Sequence, residues 1–312
     1  MSEFALEWRS VSFAVPHGFW MRPKTIISGL NLAVAPGSAV GLVGPNGAGK
    51  TTTLKLGAGL IRPGSGRILI NGEPVTRSQS RRRLGLLTET QYVYPHLRLK
   101  EWLTMAAALS GWKGLECHKR VDDVLERMEL TGQADQVMRT LSKGQIQRAG
   151  IAQAFVHEPE ILLLDEPMSG LDPFWRFKVQ QMLMQYKTSG GTLFFSSHIL
   201  SDVERISDQV ALISDGAIRW KGKLSDMPRR LTGYEVRCRA ENPSALEKFA
   251  RNSRVELQPD GACLLSVDPE QKEALLNACA AGHVAIEALM PIRPQIEEVL
   301  FEFNLLSREK DA

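Results

Sequence analysis

Apolar residues along this chain follow three rhythms. Unbroken apolar runs stand at Ala39–Val43, at residues 161–164 between Pro159 and Pro167, and at residues 193–195 within GTLFFSSHIL. A strand that is apolar at every position is one buried on both faces, as in a parallel sheet covered by helices. Leu115, Val121, Val124, Leu125, Met128 and Leu130 recur instead at the i, i+3, i+4, i+7 spacing of an amphipathic helix whose stripe faces a core. That helix falls in a helical subdomain expected over residues 99–157. Beyond DMPRRLTG the rhythm changes again. YEVRCRA alternates as a strand, PSALEKFARN is helical, VELQPDGACLLSVD is two strands about a Pro-Asp-Gly turn, PEQKEALLNACAAG is helical and VAIEALM is a strand. The order β-α-β-β-α-β is the ferredoxin-like plan, and no cluster of catalytic residue types stands out in it. The patterns predict an α/β chain of two domains, over residues 1–226 and 232–312, the second small and α+β.

Composition narrows the class. At 312 residues the chain exceeds the usual single-domain size, in keeping with one large and one small domain. Hydrophobic residues at 43% and charged residues at 23% are those of a globular protein, and no apolar run approaches the roughly 18 residues of a membrane span. The start, MSEFALEWRS, carries Glu3 and Glu7 where a secretory signal would be basic and then apolar, so the chain is expected in the cytosol. Cys117, Cys238, Cys263 and Cys279 lie far apart with no C-x-x-C pair, which argues for reduced, structural thiols and against a zinc site. A net charge of +3 is too slight for a dedicated nucleic-acid domain. The basic cluster RSQSRRRLG at residues 77–85 reads as a solvated helix face.

Chemistry enters at GLVGPNGAGKTTTL. Gly44, Gly49, Lys50 and Thr51 have the G-x-x-x-x-G-K-[ST] spacing, after a strand-like run and before a helical one. Glycines there let successive backbone N–H groups point inward as an anion-binding nest, and the following helix adds its positive N-terminal end. Gly44, Pro45, Asn46, Gly47, Ala48, Gly49, Lys50, Thr51 and Thr52 are therefore assigned to the phosphates of a nucleotide, with Lys50 on the β- and γ-phosphates and the Thr51 hydroxyl on Mg²⁺.

The run PEILLLDEP ends in Asp165 and Glu166. Ligands of parallel sheets sit at the carboxyl ends of strands, which places both acids beside the phosphate loop. As neighbours on one strand end they are expected to point to opposite sides and to do different work. Asp165 suits Mg²⁺, and Glu166 suits orienting and deprotonating the attacking water. His198, closing the next apolar strand, is the fourth polar group expected at that edge, as a γ-phosphate contact.

LSKGQIQRAG begins as an ordinary helix, with Ser142 at the N-cap and Gln145 completing a capping box. Gly144, inside the first turn, costs roughly 0.5–1 kcal/mol relative to alanine, so something must need a bare backbone there.

The phosphate loop, LSKGQ, LLLDEP, SGLD and SSH, in that order and spacing, resemble the ATP-binding subunit of ABC transporters over about residues 3–225. The resemblance implies a P-loop NTPase core with an antiparallel β subdomain and a helical subdomain. It also implies Mg²⁺ with ATP as substrate, a second ATP-binding subunit (most simply a second copy), and an integral membrane permease that seats the chain on the cytoplasmic face of the plasma membrane. In that family two subunits pair head to tail, each signature helix pointing at the γ-phosphate on its partner. Ser142, Gly144 and Gln145 take that role by resemblance, and Asp172 of SGLD takes communication across the dimer.

Glu89 aligns where the family has a glutamine for Mg²⁺, with Gln91 two residues on, and many exporter-type members share both that glutamate and LSKG. Tyr92, Tyr94 and Leu97 are candidates for the cleft that receives a permease helix, or for core packing. The usual adenine-stacking aromatic is replaced by Val15, so Trp20, or else Phe19, is expected to supply the platform. The C-terminal module, ending in RPQIEEVLFEFN, resembles the added domain of type-2 exporter ATPases, with a regulatory or dimer-supporting role. The alternative is a soluble ABC-type ATPase acting on DNA, ribosomes or iron-sulfur assembly. The heptads or doubled cassette of the first two are absent from the sequence, and the third is expected to lack the C-terminal module.

Overall fold

The computed structural model describes residues 3–18, 22–91, 93–226, 232–240, 242–251, 254–281 and 284–292. The chain divides into two compact units, Met1–Asp226 and Met227–Ala312.

The first unit runs β1 (Leu6–His17), β2 (Arg22–Val34), β3 (Ala39–Val43), α1 (Lys50–Gly57), β4 (Ser65–Ile70), β5 (Glu73–Pro74), β6 (Leu84–Leu87), α2 (Leu99–Leu109), α3 (Gly114–Arg127), α4 (Lys143–Phe155), β7 (Ile161–Asp165), α5 (Pro173–Thr188), β8 (Thr192–Ser196), α6 (Leu200–Ile206), β9 (Gln209–Ser214) and β10 (Ala217–Gly222). A six-stranded sheet has the order β10-β9-β3-β8-β7-β6, parallel except for β10. Its strands β3, β7 and β8 are buried at every position, as their unbroken apolar runs require. A second, antiparallel sheet has the order β2-β1-β4-β5.

Helix α1 touches strands of both sheets. One core joins the two layers, with Leu6 and Trp8 of β1, Leu42 of β3, Leu54 of α1, Leu163 of β7 and Phe194 of β8. Trp8 and Phe194 meet ring to ring at 5.0 Å. Side chains of this size each contribute about 1.5–3 kcal/mol when fully buried, so this layer fixes how α1, and the loop before it, stand on the sheet. Gly57 is the close approach there: a Cβ would come within 2.5 Å of the Trp8 ring.

Two local expectations change. Leu115 is 89% exposed, because in α3 it lies about 135° around the helix from the centre of the buried stripe of Cys117, Val121, Val124 and Leu125. Met128 and Leu130 are buried, but just past the end of α3. The basic cluster forms only a short 3₁₀ turn, Ser80–Arg83. Arg77 and Arg83 are held by ion pairs to Glu73 and Glu160, and Arg81 donates to the Val75 carbonyl.

The second unit carries β11 (Gly233–Arg239), β12 (Val255–Leu257), β13 (Cys263–Val267), α7 (Lys272–Ala281) and β14 (Ala285–Ile292). Its sheet is antiparallel in the order β12-β13-β11-β14. The expected first helix is instead a 3₁₀ helix, Pro243–Phe249, which seats Leu246 in the core. Cys238, Cys263 and Cys279 belong to that core, and all four cysteines are free and buried.

Candidate functional site

The loop from Gly44 to Gly49 is shaped by backbone that side chains would spoil. Gly47 and Gly49 have φ of 82° and 107°. A Cβ on Gly44 would sit 2.2 Å from the Ile213 carbonyl. Gly49 caps α1 in the left-handed conformation, which aims the first turn of the helix at the loop's interior. Lys50 is only 8% exposed, and its Nζ donates to the carbonyls of Gly44 (2.7 Å) and Pro45 (3.2 Å), folded over its own loop. Burial pushes its ammonium below the usual lysine range, against the pull of Glu166, Asp165 and Glu89. The Ala48 amide donates to the Pro45 carbonyl, closing the loop's turn.

Asn46, Gly47, Gly49, Lys50, Thr51, Thr52, Glu89, Asp165 and Glu166 line one cavity of 740 Å³. Both acids reach it, so the expectation that they point to opposite sides is corrected. Strand alternation holds only between extended residues, and Glu166 has a φ of 49°. Asp165 is 3% exposed, and its Oδ1 accepts from the Ser196 hydroxyl at 2.6 Å. The same hydroxyl oxygen accepts from the Glu166 amide at 2.9 Å. His198 Nδ1 lies 2.7 Å from Glu166 Oε2.

Glu89 and Gln91 are separated by their surroundings. Glu89 faces the cavity, whereas Gln91 donates from Nε2 to the Thr88 carbonyl at 2.5 Å and packs on Gly150, where a Cβ would stand 2.5 Å from its Oε1. Tyr94 is 59% exposed and Leu97 half-buried, while Tyr92 lies outside the described residues.

Ser142, Gly144, Gln145 and Asp172 are not brought to this cavity within one chain. Ser142 and Gln145 form the expected capping box of α4. Gly144 has nearly open space: a Cβ would meet only the Gly170 carbonyl, at an ordinary 3.7 Å. Among the described residues of its own chain nothing demands glycine there. Asp172 caps α5, accepting from the Trp175 amide at 2.8 Å. Trp20 and Phe19 lie outside the described residues. Val15 is half-buried on β1 and pairs with Lys24, which lines the cavity.

Sequence reading missed several residues. Ser196 is one, although SSH carries it. Gln147 of α4 is another, 6% exposed and donating to the carbonyls of Glu166 and Pro167. Asp215 and Gly216, at the β9–β10 turn, form a further wall of the cavity. A Cβ on Gly216 would come within 2.1 Å of the Ile26 carbonyl, so glycine lets that turn press on β2. An Asp-Gly dipeptide between two strands was the available signal.

The donor set suits Mg²⁺. That ion takes one or two carboxylates and completes its octahedron with phosphate oxygens and water. Asp165, the Thr51 hydroxyl and Glu89 offer such a partial shell, and among the described residues no three His, Cys, Asp or Glu side chains form a complete protein cage.

Comparison with known proteins points to one family. The ABC transporter family matches residues 27–169. An uncharacterized ABC transporter ATP-binding protein of Nostoc sp. is 40% identical over 248 residues, covering 78% of this chain and 73% of that protein. The Nod factor export ATP-binding protein I of Paraburkholderia xenovorans is 34% identical over 217 residues, covering 69% and 70%. Among solved structures, a dimeric ATP-binding cassette in a post-hydrolysis state with ADP and Pi matches with a TM-score of 0.66 at 25% identity, over 70% of this chain and 98% of that one.

Proposed function

The chain belongs to the ATP-binding subunits of ABC transporters, which are ATPases, and from that premise we propose that it pairs with a second ATP-binding subunit around two ATP molecules and drives a membrane exporter. The single observation that carries the hydrolytic reading is the convergence of Lys50, Asp165 and the Glu166–His198 pair on the cavity of the phosphate loop.

Loop amides from Asn46 to Thr52 and the Lys50 ammonium bind the β- and γ-phosphates. Thr51, Asp165 and Glu89 would hold Mg²⁺, which when bound would offset the charge of the nucleotide's phosphates. Ser196 keeps Asp165 turned toward that position. Glu166 accepts the proton of the attacking water on Oε1, the oxygen not engaged by His198. His198 orients Glu166 and offers its other ring nitrogen to the γ-phosphate. Ser142, Gly144 and Gln145 serve the partner's ATP: the open space at Gly144 supports this, since its backbone is free to approach a phosphate held by another chain. Asp172 lies at the same contact.

Residues 1–226 form the ATP-binding domain in this reading, and residues 232–312 a regulatory or dimer-supporting domain on the ferredoxin-like plan, which the strand order supports. No helix among the described residues is long and apolar enough to cross a membrane, so the spanning part belongs to the permease, with exposed Tyr94 a candidate for its docking cleft. The names of relatives such as the Nod factor exporter support the direction of transport.

Purification of the tagged chain from membranes tests the reading. An integral membrane protein should co-purify, and reconstituting the pair should raise ATP turnover. A chain that purifies alone and hydrolyses ATP at its full rate without membranes is instead a soluble ABC-type ATPase.

A further inference from the structure

We propose that Gln147 is a positioning residue that carries the state of the partner's ATP site to Glu166 of its own chain, an inference that rests on the head-to-tail pairing proposed above. Helix α4 begins at the capping box of Ser142 and Gln145, the turn that would face the partner's nucleotide. On the same helix Gln147 is buried, at 6% exposure. Its Nε2 donates to the Pro167 carbonyl at 3.0 Å and to the Glu166 carbonyl at 3.2 Å. A buried primary amide is costly unless its hydrogen bonds are made, and here they are made to the backbone of the hydrolytic loop.

That backbone is under strain. Glu166 has a left-handed φ of 49°, which a non-glycine residue keeps only where its neighbours over-determine it. Ser196 accepts its amide, and the Ser169 amide donates to its carbonyl at 3.0 Å. Ser196 ends β8 and Ser169 lies in the turn just after Glu166, whereas Gln147 reaches in from the helical subdomain. A shift of α4 on meeting a phosphate therefore acts on the Glu166 peptide through one side chain, and the next residue, Arg148, ties the same helix to Trp175 of α5 at 4.1 Å.

Gln147→Glu and Gln147→Met separate positioning from packing. Glutamate has the same shape but aims a carboxylate at two carbonyls, and methionine keeps the volume without a donor. Both variants should bind ATP as wild type does, hydrolyse it about tenfold more slowly, as loss of one aligning hydrogen bond implies, and lose cooperativity in ATP concentration. As pH falls from about 7.5 to about 5.5, Gln147→Glu should regain turnover relative to wild type, because a protonated carboxyl again donates to a carbonyl, while Gln147→Met should not. The Gln147→Glu profile decides the matter by itself should the methionine variant fail to fold. Wild-type turnover in both variants, or a slow Gln147→Glu whose pH profile parallels wild type, overturns the proposal. Glu166→Gln is measured alongside. Wild-type hydrolysis in that variant overturns the underlying reading, whereas its loss together with normal Gln147 variants overturns this proposal alone.

Discussion

His198 Nδ1 stands 2.7 Å from Glu166 Oε2, so the residue two places beyond β8 and the residue just beyond β7 form one hydrogen-bonded pair at the mouth of the phosphate loop. His198 engages one carboxylate oxygen of the glutamate, Oε2, and not the other.

Replacing that glutamate tests its role as base. Glu166→Gln keeps the hydrogen bond to His198 in shape but accepts no proton, and should slow hydrolysis by about 10²–10⁴-fold while ATP binding persists. The variant should accumulate as an ATP-bound dimer, visible by size-exclusion chromatography with ATP. Turnover at the wild-type rate would remove Glu166 from the role.

Under the proposed head-to-tail pairing, Gly144→Asp should place its lesion in the partner's site. Because a side chain at Gly144 meets only the Gly170 carbonyl at 3.7 Å, the fold should tolerate the change. The carboxylate would block and repel an approaching γ-phosphate. Hydrolysis should be abolished, with nucleotide affinity of the monomer nearly intact; lost monomer affinity would show instead that the signature turn serves its own chain.

The adenine platform is open to direct measurement. Stacking a base on an aromatic ring is worth about 1–3 kcal/mol, or roughly five- to 150-fold in ATP affinity. Trp20→Ala is expected to weaken ATP binding by that order, with Phe19→Ala as the next candidate. Should both bind normally while Val15→Tyr binds tighter, the base rests on aliphatic surface near Val15.

Stability should respond to pH through His157. Its Nε2 donates to the Leu84 carbonyl at 3.1 Å, and burial pushes its pKa below the ordinary 6.5. Above that value the ring is neutral in both states and the full stability is present. As pH falls through about 6.5 the unfolded chain takes up the proton first, so stability is lost down to the lowered folded pKa and is flat below it. His157→Gln keeps the donor without the titration, and its unfolding midpoint should fall less than that of wild type between about pH 7.5 and about pH 5.5. Equal losses in the two proteins would exclude His157 as the cause.

What the sequence by itself determined is what short stretches of chain decide. A nest of amides needs Gly47 and Gly49 at left-handed positions, and a strand buried on both faces needs the unbroken apolar run before Asp165, so loop, strands and acids were legible as motifs. The capping box of Ser142 and Gln145 was legible for the same reason. What only the tertiary structure decided are relations between segments remote in sequence. Ser196 bridges Asp165 and Glu166 from 31 and 30 residues away, and Gln147 reaches Glu166 across 19. The left-handed turn at Glu166 brings both acids to one cavity. Gly150 makes room for Gln91 and leaves Glu89 at the cavity, a choice that two neighbouring polar residues do not reveal in sequence. Local backbone chemistry is written in adjacent residues, whereas a side chain's partner depends on where packing carries another element.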